Sequence, residues 1–206
     1  MDTIINTNDF FQWFGNNWSE VFAVVTGLLY IFLEIKQKPA MWVVGFISSL
    51  VFVFVYFQSK VYGYAALYVY YVMVSVYGWF CWRYAQQSDG GVTELQVSRL
   101  QMMLALVLAA ISVTLWIGIG YTLTRFTDSP VPYLDALGVS FSIVATWMLA
   151  RKILEHWILW IFINFFSSAL FFSRELYPTA GLFVVYGIMS IIGWFKWKQN
   201  MEQMKI

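Results

Sequence analysis

The chain has 206 residues, 61% of them hydrophobic and only 11% charged, against roughly 25% charged in a soluble domain. A soluble fold of this size has no interior large enough for that much apolar surface, so the composition excludes a disordered chain, a secreted disulfide scaffold and an ordinary cytosolic enzyme. A net charge of +1 gives no electrostatic case for nucleic acid, and a single cysteine (Cys81) and a single histidine (His156) leave no disulfide, metal or cofactor signature.

What remains is an all-α polytopic membrane protein lying in a lipid bilayer. The N-terminus carries Asp2 and Asp9. It lacks a basic n-region and a cleavage site, so the first apolar span is expected to be retained. Residues 5–15, with Phe10, Phe11, Trp13 and Phe14, are predicted to lie along the membrane interface. Seven spans follow, at 18–36, 40–58, 61–83, 100–123, 133–151, 157–173 and 176–197. Each is close to the ~20 residues that cross a hydrocarbon core. Prolines punctuate the starts of the second, fifth and seventh, where a missing N–H costs no helical bond. Nine of the twelve Lys and Arg residues fall in the loops after the first, third and fifth spans and at the C-terminus. The positive-inside rule then puts the N-terminus outside and the C-terminus in the cytoplasm.

Sliding the chain on itself by 115 residues gives 12 identities over positions 40–83 without a gap. Gly78-Trp79-Phe80-Cys81-Trp82-Arg83 falls on Gly193-Trp194-Phe195-Lys196-Trp197-Lys198, and Trp42 falls on Trp157. The second and third spans thus correspond to the sixth and seventh, and the first to the fifth more weakly. An even number of spans separates each from its counterpart, so the repeats are parallel. The predicted plan is an interfacial segment (1–17), a three-helix repeat (18–83), a loop and linker helix (84–132), a second repeat (133–198) and a cytoplasmic tail (199–206). This 3+1+3 plan is the SWEET-like transporter architecture, with substrate near the midplane between the halves.

In the sixth span Trp157, Trp160 and Asn164 lie within about 60° of one another on a helix. An amide at that depth needs partners. The repeat equivalents Trp42, Gly45 and Ser49 offer the same stripe with smaller groups, as a site for an asymmetric ligand would. In the third span Tyr64, Tyr68 and Tyr71 share a face. Together these residues form a candidate substrate site, and an aromatic cage of this kind suits a flat cationic ring. The opposing expectation for Trp157 and Trp42 is an aromatic belt, and Trp79, Trp82, Trp194 and Trp197, beside basic residues, are predicted to be belt and anchor residues. No lysine lies in mid-span, which argues against a retinal protein. Glu34 stands at the cytoplasmic end of the first span, and His156 reads as a cytoplasmic loop residue. The absence of a deep carboxylate favours uniport over ion coupling. An intramembrane enzyme would have to act through His156 or Cys81, so no catalytic centre is predicted.

Trp42-x-x-Gly45, the Val61–Leu67 stretch, Tyr77-Gly78-Trp79 and above all Trp157-x-x-Trp160-x-x-x-Asn164 resemble the PnuC family of vitamin transporters over roughly residues 20–198. The resemblance implies facilitated diffusion of nicotinamide riboside, a cationic vitamin precursor for NAD synthesis. It also implies trapping by a cytosolic kinase, residence in the bacterial inner membrane, and a substrate role for Trp157, Trp160 and Asn164. Homotrimers are known in the family, and no residue here specifies one. Riboside carriers often have acidic and glutamine residues where Tyr64 and Tyr68 stand here. That departure raises thiamine, the substrate of the related PnuT branch, as the alternative. A sugar carrier of SWEET type follows from architecture alone.

Overall fold

The computed structural model describes residues 7–58, 62–84 and 95–203, without the side chains of 7–14, 16 and 62–64. Seven helices account for nearly all of it: α1 (Thr7–Ile35), α2 (Ala40–Gln58), α3 (Tyr62–Arg83), α4 (Met102–Phe126), α5 (Pro132–Ala150), α6 (His156–Ser173) and α7 (Tyr177–Gln203). All seven contain a stretch long and apolar enough to cross a membrane. Backbone groups have no water to bond in hydrocarbon, so continuous helices are the form such runs must take.

The helix ends differ from the sequence expectation most at the two termini, and α4 runs three residues further, to Phe126. Residues 7–16 are helical and join α1 through Asn17, whose φ of −116° and ψ of 17° break the helix. The kink separates this aromatic segment from the spanning part of α1. At the other terminus α7 continues to Gln203, six residues past the predicted span. All of those residues but Met201 are polar or charged, so hydropathy had no reason to include them.

Contacts in one half recur in the other at the 115-residue offset. The α1–α2 loop has Gln37 in the left-handed region (φ 54°), and the α5–α6 loop has Lys152 there (φ 50°). Gln37 N–H bonds Glu34 O and Lys38 N–H bonds Leu33 O; Lys152 N–H bonds Leu149 O and Ile153 N–H bonds Met148 O. Both are Schellman-type caps, which tie off the last helical carbonyls. The Trp82 indole N–H donates to Leu149 O at 3.3 Å, and that of Trp197 to Glu34 O at 3.0 Å. The Trp42 and Trp82 rings meet edge-on at 5.7 Å, as do those of Trp157 and Trp197. A Cβ on Gly78 would overlap the Trp42 ring, and one on Gly193 would overlap the Trp157 ring. Glycine at these two sites is what lets an indole lie against the neighbouring helix.

The packed core where α2 and α6 begin and α3 and α5 end is thus a chain of indoles, Trp42–Trp82–Trp197–Trp157, buried with Met41, Leu149 and Leu154. This corrects the belt assignment of Trp82 and Trp197, and the belt alternative for Trp42 and Trp157. All four are at most 2% exposed and hold helix to helix rather than facing headgroups. α1 packs on α2 and α7, and α5 packs on α6 and α3. α4 packs on α5 and leaves Met102, Met103, Leu106 and Ile117 exposed, a surface that suits lipid.

Candidate functional site

A cavity of about 170 Å³ lies between α1, α6 and α7. Its wall is formed by Gly27, Tyr30, Ile31 and Glu34 of α1, Trp157, Trp160 and Asn164 of α6, and Tyr186 and Ser190 of α7. The i, i+3, i+4, i+7 spacing of Gly27, Tyr30, Ile31 and Glu34 gives one continuous face of α1, about 10 Å long. The stripe predicted on α6 forms the opposing face. Small-molecule sites usually occupy roughly 300–1,000 Å³, so a nucleoside-sized ligand requires the lining side chains to move apart.

Polar groups line this cavity unevenly. Asn164 Nδ2 donates to Ser190 Oγ at 3.2 Å, and Ser190 Oγ donates to Tyr186 O at 2.8 Å. The Asn164 amide is thereby oriented, while its carbonyl oxygen remains an acceptor. The indole N–H groups of Trp157 and Trp160 are buried without a hydrogen-bond partner among the described residues. A buried donor left unpaired costs of order 1–3 kcal/mol, which a ligand acceptor would recover.

Glu34 and His156 are the correction to the sequence reading. His156 is not in a loop. It is fully buried at the start of α6, its ring set between those of Trp157 (4.7 Å) and Trp197 (4.8 Å). Nδ1 lies 2.7 Å from Ile153 O, and Nε2 lies 3.1 Å from Glu34 Oε1. A carbonyl only accepts, so Nδ1 carries a proton and Nε2 faces the carboxyl group. Glu34 is 3% exposed and borders the cavity. A carboxyl group therefore does reach the site, although sequence reasoning left it at the membrane surface. The available signal was that the chain's one histidine immediately precedes the Trp157 stripe.

The other predicted residues lie elsewhere. Trp42 and Ser49 are buried on α2 and do not line the cavity. Gly45, the counterpart of Trp160, leaves space that the Tyr30 ring occupies. Tyr68 packs on Phe52 (5.2 Å), Tyr56 (5.3 Å) and Tyr71 (5.5 Å), and Tyr71 also packs on Tyr70 (5.7 Å). The Tyr64 side chain lies outside the described residues. Tyr30, Tyr186 and Ser190 were not predicted. Tyr186 and Ser190 carried only a repeat signal, as counterparts of Tyr71 and Ser75. A second pocket, of about 230 Å³, is bordered by Trp42, Val43, Phe46, Ser75, Val76 and Trp79. Val43 and Val76 are exposed, which makes it a groove on the outer face of α2 and α3.

Seven helices long and apolar enough to cross a membrane, three of them bordering a small aromatic and polar cavity, define a multi-pass membrane protein. The family model described as nicotinamide mononucleotide transporter matches residues 17–199, and the chain belongs to that family of membrane transporters. It is 24% identical to the nicotinamide riboside transporter PnuC of Escherichia coli (strain K12), covering 88% of this chain and 85% of that one. It is 27% identical to the nicotinamide riboside transporter PnuC of Neisseria mucosa (91% and 74% covered). It is 26% identical to the riboflavin/roseoflavin transporter RibM of Streptomyces davaonensis (87% and 84% covered). The crystal structure of the vitamin B3 transporter PnuC superposes with a TM-score of 0.73 at 26% identity, over 94% of this chain and 86% of that one.

Proposed function

We propose that the protein carries nicotinamide riboside across the bacterial inner membrane by facilitated diffusion, supplying a precursor for NAD synthesis. The observation that carries this reading is the α1–α6–α7 cavity, where Trp160 and Tyr30 offer π-faces, Asn164 an oriented amide, and two indoles unpaired donors. A pyridinium ring is flat and cationic, and cation–π attraction is worth up to about 2 kcal/mol or more when desolvated. The ribose and carboxamide supply the acceptors that the free N–H groups lack. The relatives named for nicotinamide riboside support the same substrate.

The N-terminus is outside and the C-terminus in the cytoplasm, where a kinase traps the product. The cavity then opens and closes as two parallel three-helix repeats rock about it. Trp157, Trp160 and Asn164 are the substrate residues. The RibM relative makes riboflavin the competing flat ligand, and thiamine is the competing cation.

Titration of the purified protein with nicotinamide riboside, thiamine and riboflavin, followed by tryptophan quenching and calorimetry, tests the assignment. Saturable riboside binding, with uptake into proteoliposomes that ignores imposed proton and sodium gradients, is the expected result. Tight thiamine or riboflavin binding with no riboside signal overturns it.

A further inference from the structure

The Glu34–His156 pair has a counterpart in the other half of the molecule. Subtracting 115 from His156 gives Met41, and adding 115 to Glu34 gives Leu149. Both counterparts are fully buried. The backbone around them matches as well: Glu34 O accepts from Trp197 and Leu149 O from Trp82, and both carbonyls also accept from the capping residue of the following loop. One packing slot is therefore filled twice, once by Met41 and Leu149 and once by a carboxyl group and an imidazole. The fold itself is content with the apolar filling. Desolvating an acid and a base costs several kcal/mol per ion, and well-packed apolar residues often do as well or better. A polar pair kept in only one half calls for a reason beyond packing.

The reason lies in where the pair points. His156 stands behind Glu34, away from the cavity, fixed by Ile153 O through Nδ1 and by the Trp157 and Trp197 rings on its sides. Glu34 is the cavity-lining member. One carboxyl oxygen is taken by His156 Nε2, and the other has no partner among the described residues. The carboxyl group of the pair thus borders the cavity, and the imidazole lies in the indole cluster. Tyr30, one turn earlier on α1, and Trp160 complete a surround suited to a positive ring.

We infer that Glu34 is the specificity residue that makes this cavity prefer a cationic ligand over a neutral one of the same shape, with His156 as the positioning residue that holds its carboxyl group toward the ligand. The inference rests on the reading of the cavity as the nicotinamide riboside site. It adds a side chain outside the α6 stripe and assigns it to the charge of the ligand.

The test compares nicotinamide riboside with its 1,4-dihydro form, which keeps the ribose, the carboxamide and nearly the same outline but has a neutral ring. Both are titrated into wild type, Glu34→Gln and His156→Gln by calorimetry. Wild type is expected to favour the cation about tenfold or more, the scale of one desolvated charge contact. Glu34→Gln is expected to lower riboside affinity about tenfold while changing the dihydro form by less than about twofold, which shows in the same sample that the site is still folded. His156→Gln is expected to lower the cation-to-neutral ratio by a smaller factor. Equal losses for both ligands would make the pair structural and overturn the inference, as would a wild type indifferent to charge. A wild type that binds neither ligand instead overturns the substrate reading.

Discussion

Gly193→Ala and Gly78→Ala place the same insult in the two halves of the molecule, and the structure predicts different outcomes. In each case the new Cβ enters the space of an indole, Trp157 for Gly193 and Trp42 for Gly78. Neither ring has room to retreat. Trp157 is fully buried between His156 and Trp197, and Trp42 between Tyr30 and Trp82. Overpacking of this kind costs about 1–3 kcal/mol. For a chain of this length that lowers the thermal midpoint by roughly 2–12 °C. Both variants are expected to show it in thermal unfolding of detergent-solubilised protein. Binding should separate them. Trp157 lines the cavity and Trp42 does not, so Gly193→Ala should weaken riboside binding about tenfold, or ~1.4 kcal/mol, and Gly78→Ala by less than about threefold. A Gly193→Ala protein with unchanged midpoint and affinity would refute the packing argument. Equal loss of affinity in both would refute the placement of the site on the α6–α7 side.

Three further outcomes follow from the same geometry. Trp160→Ala removes the aromatic face one turn below Trp157 and should cost about 2 kcal/mol of binding, roughly 30-fold in Kd; calorimetry on a variant with a wild-type elution profile checks it. Asn164→Leu should abolish measurable riboside binding while lowering stability only by about 1 kcal/mol, since one buried side-chain bond to Ser190 is lost; thermal unfolding and titration of one preparation separate the two effects. Arg174→Gln breaks the 2.8 Å pair with Asp135 that joins the end of α6 to the start of α5. The pair is partly exposed, so the change should cost no more than about 1 kcal/mol and leave affinity unchanged. A large loss of binding there would mean that this end of the bundle takes part in the site.

The spans were legible because the bilayer imposes a length and a composition that no other environment demands. α2 runs from Ala40 to Gln58, as read from the sequence, since Pro39 and the polar residues beyond bound it. The α6 stripe was legible for a related reason: helical periodicity alone puts Trp157, Trp160 and Asn164 on one face, and all three line the cavity. The paired indoles and glycines were half legible. The 115-residue offset shows that Gly78 and Gly193 correspond, but only the packed helices show that each makes room for the indole one repeat-helix back.

What the sequence by itself determined is everything governed by local rules: membrane class, the number of spans and most of their limits, the repeat, and which face of α6 carries polar groups. The tertiary structure decided which helices meet and therefore which isolated residues become partners. Glu34 and His156 are 122 positions apart, and no periodicity links them. They meet because α1 packs on α7, whose Trp197 bonds Glu34 O and brackets His156 together with Trp157. The burial of Trp82 and Trp197 was decided in the same way. An indole beside basic residues is equally at home at an interface or between helices, and only the crossing of the helices removes it from lipid. The left-handed caps at Gln37 and Lys152 escaped the sequence because neither is a glycine, and the hydrogen bonds that hold them exist only once the preceding helix is in place.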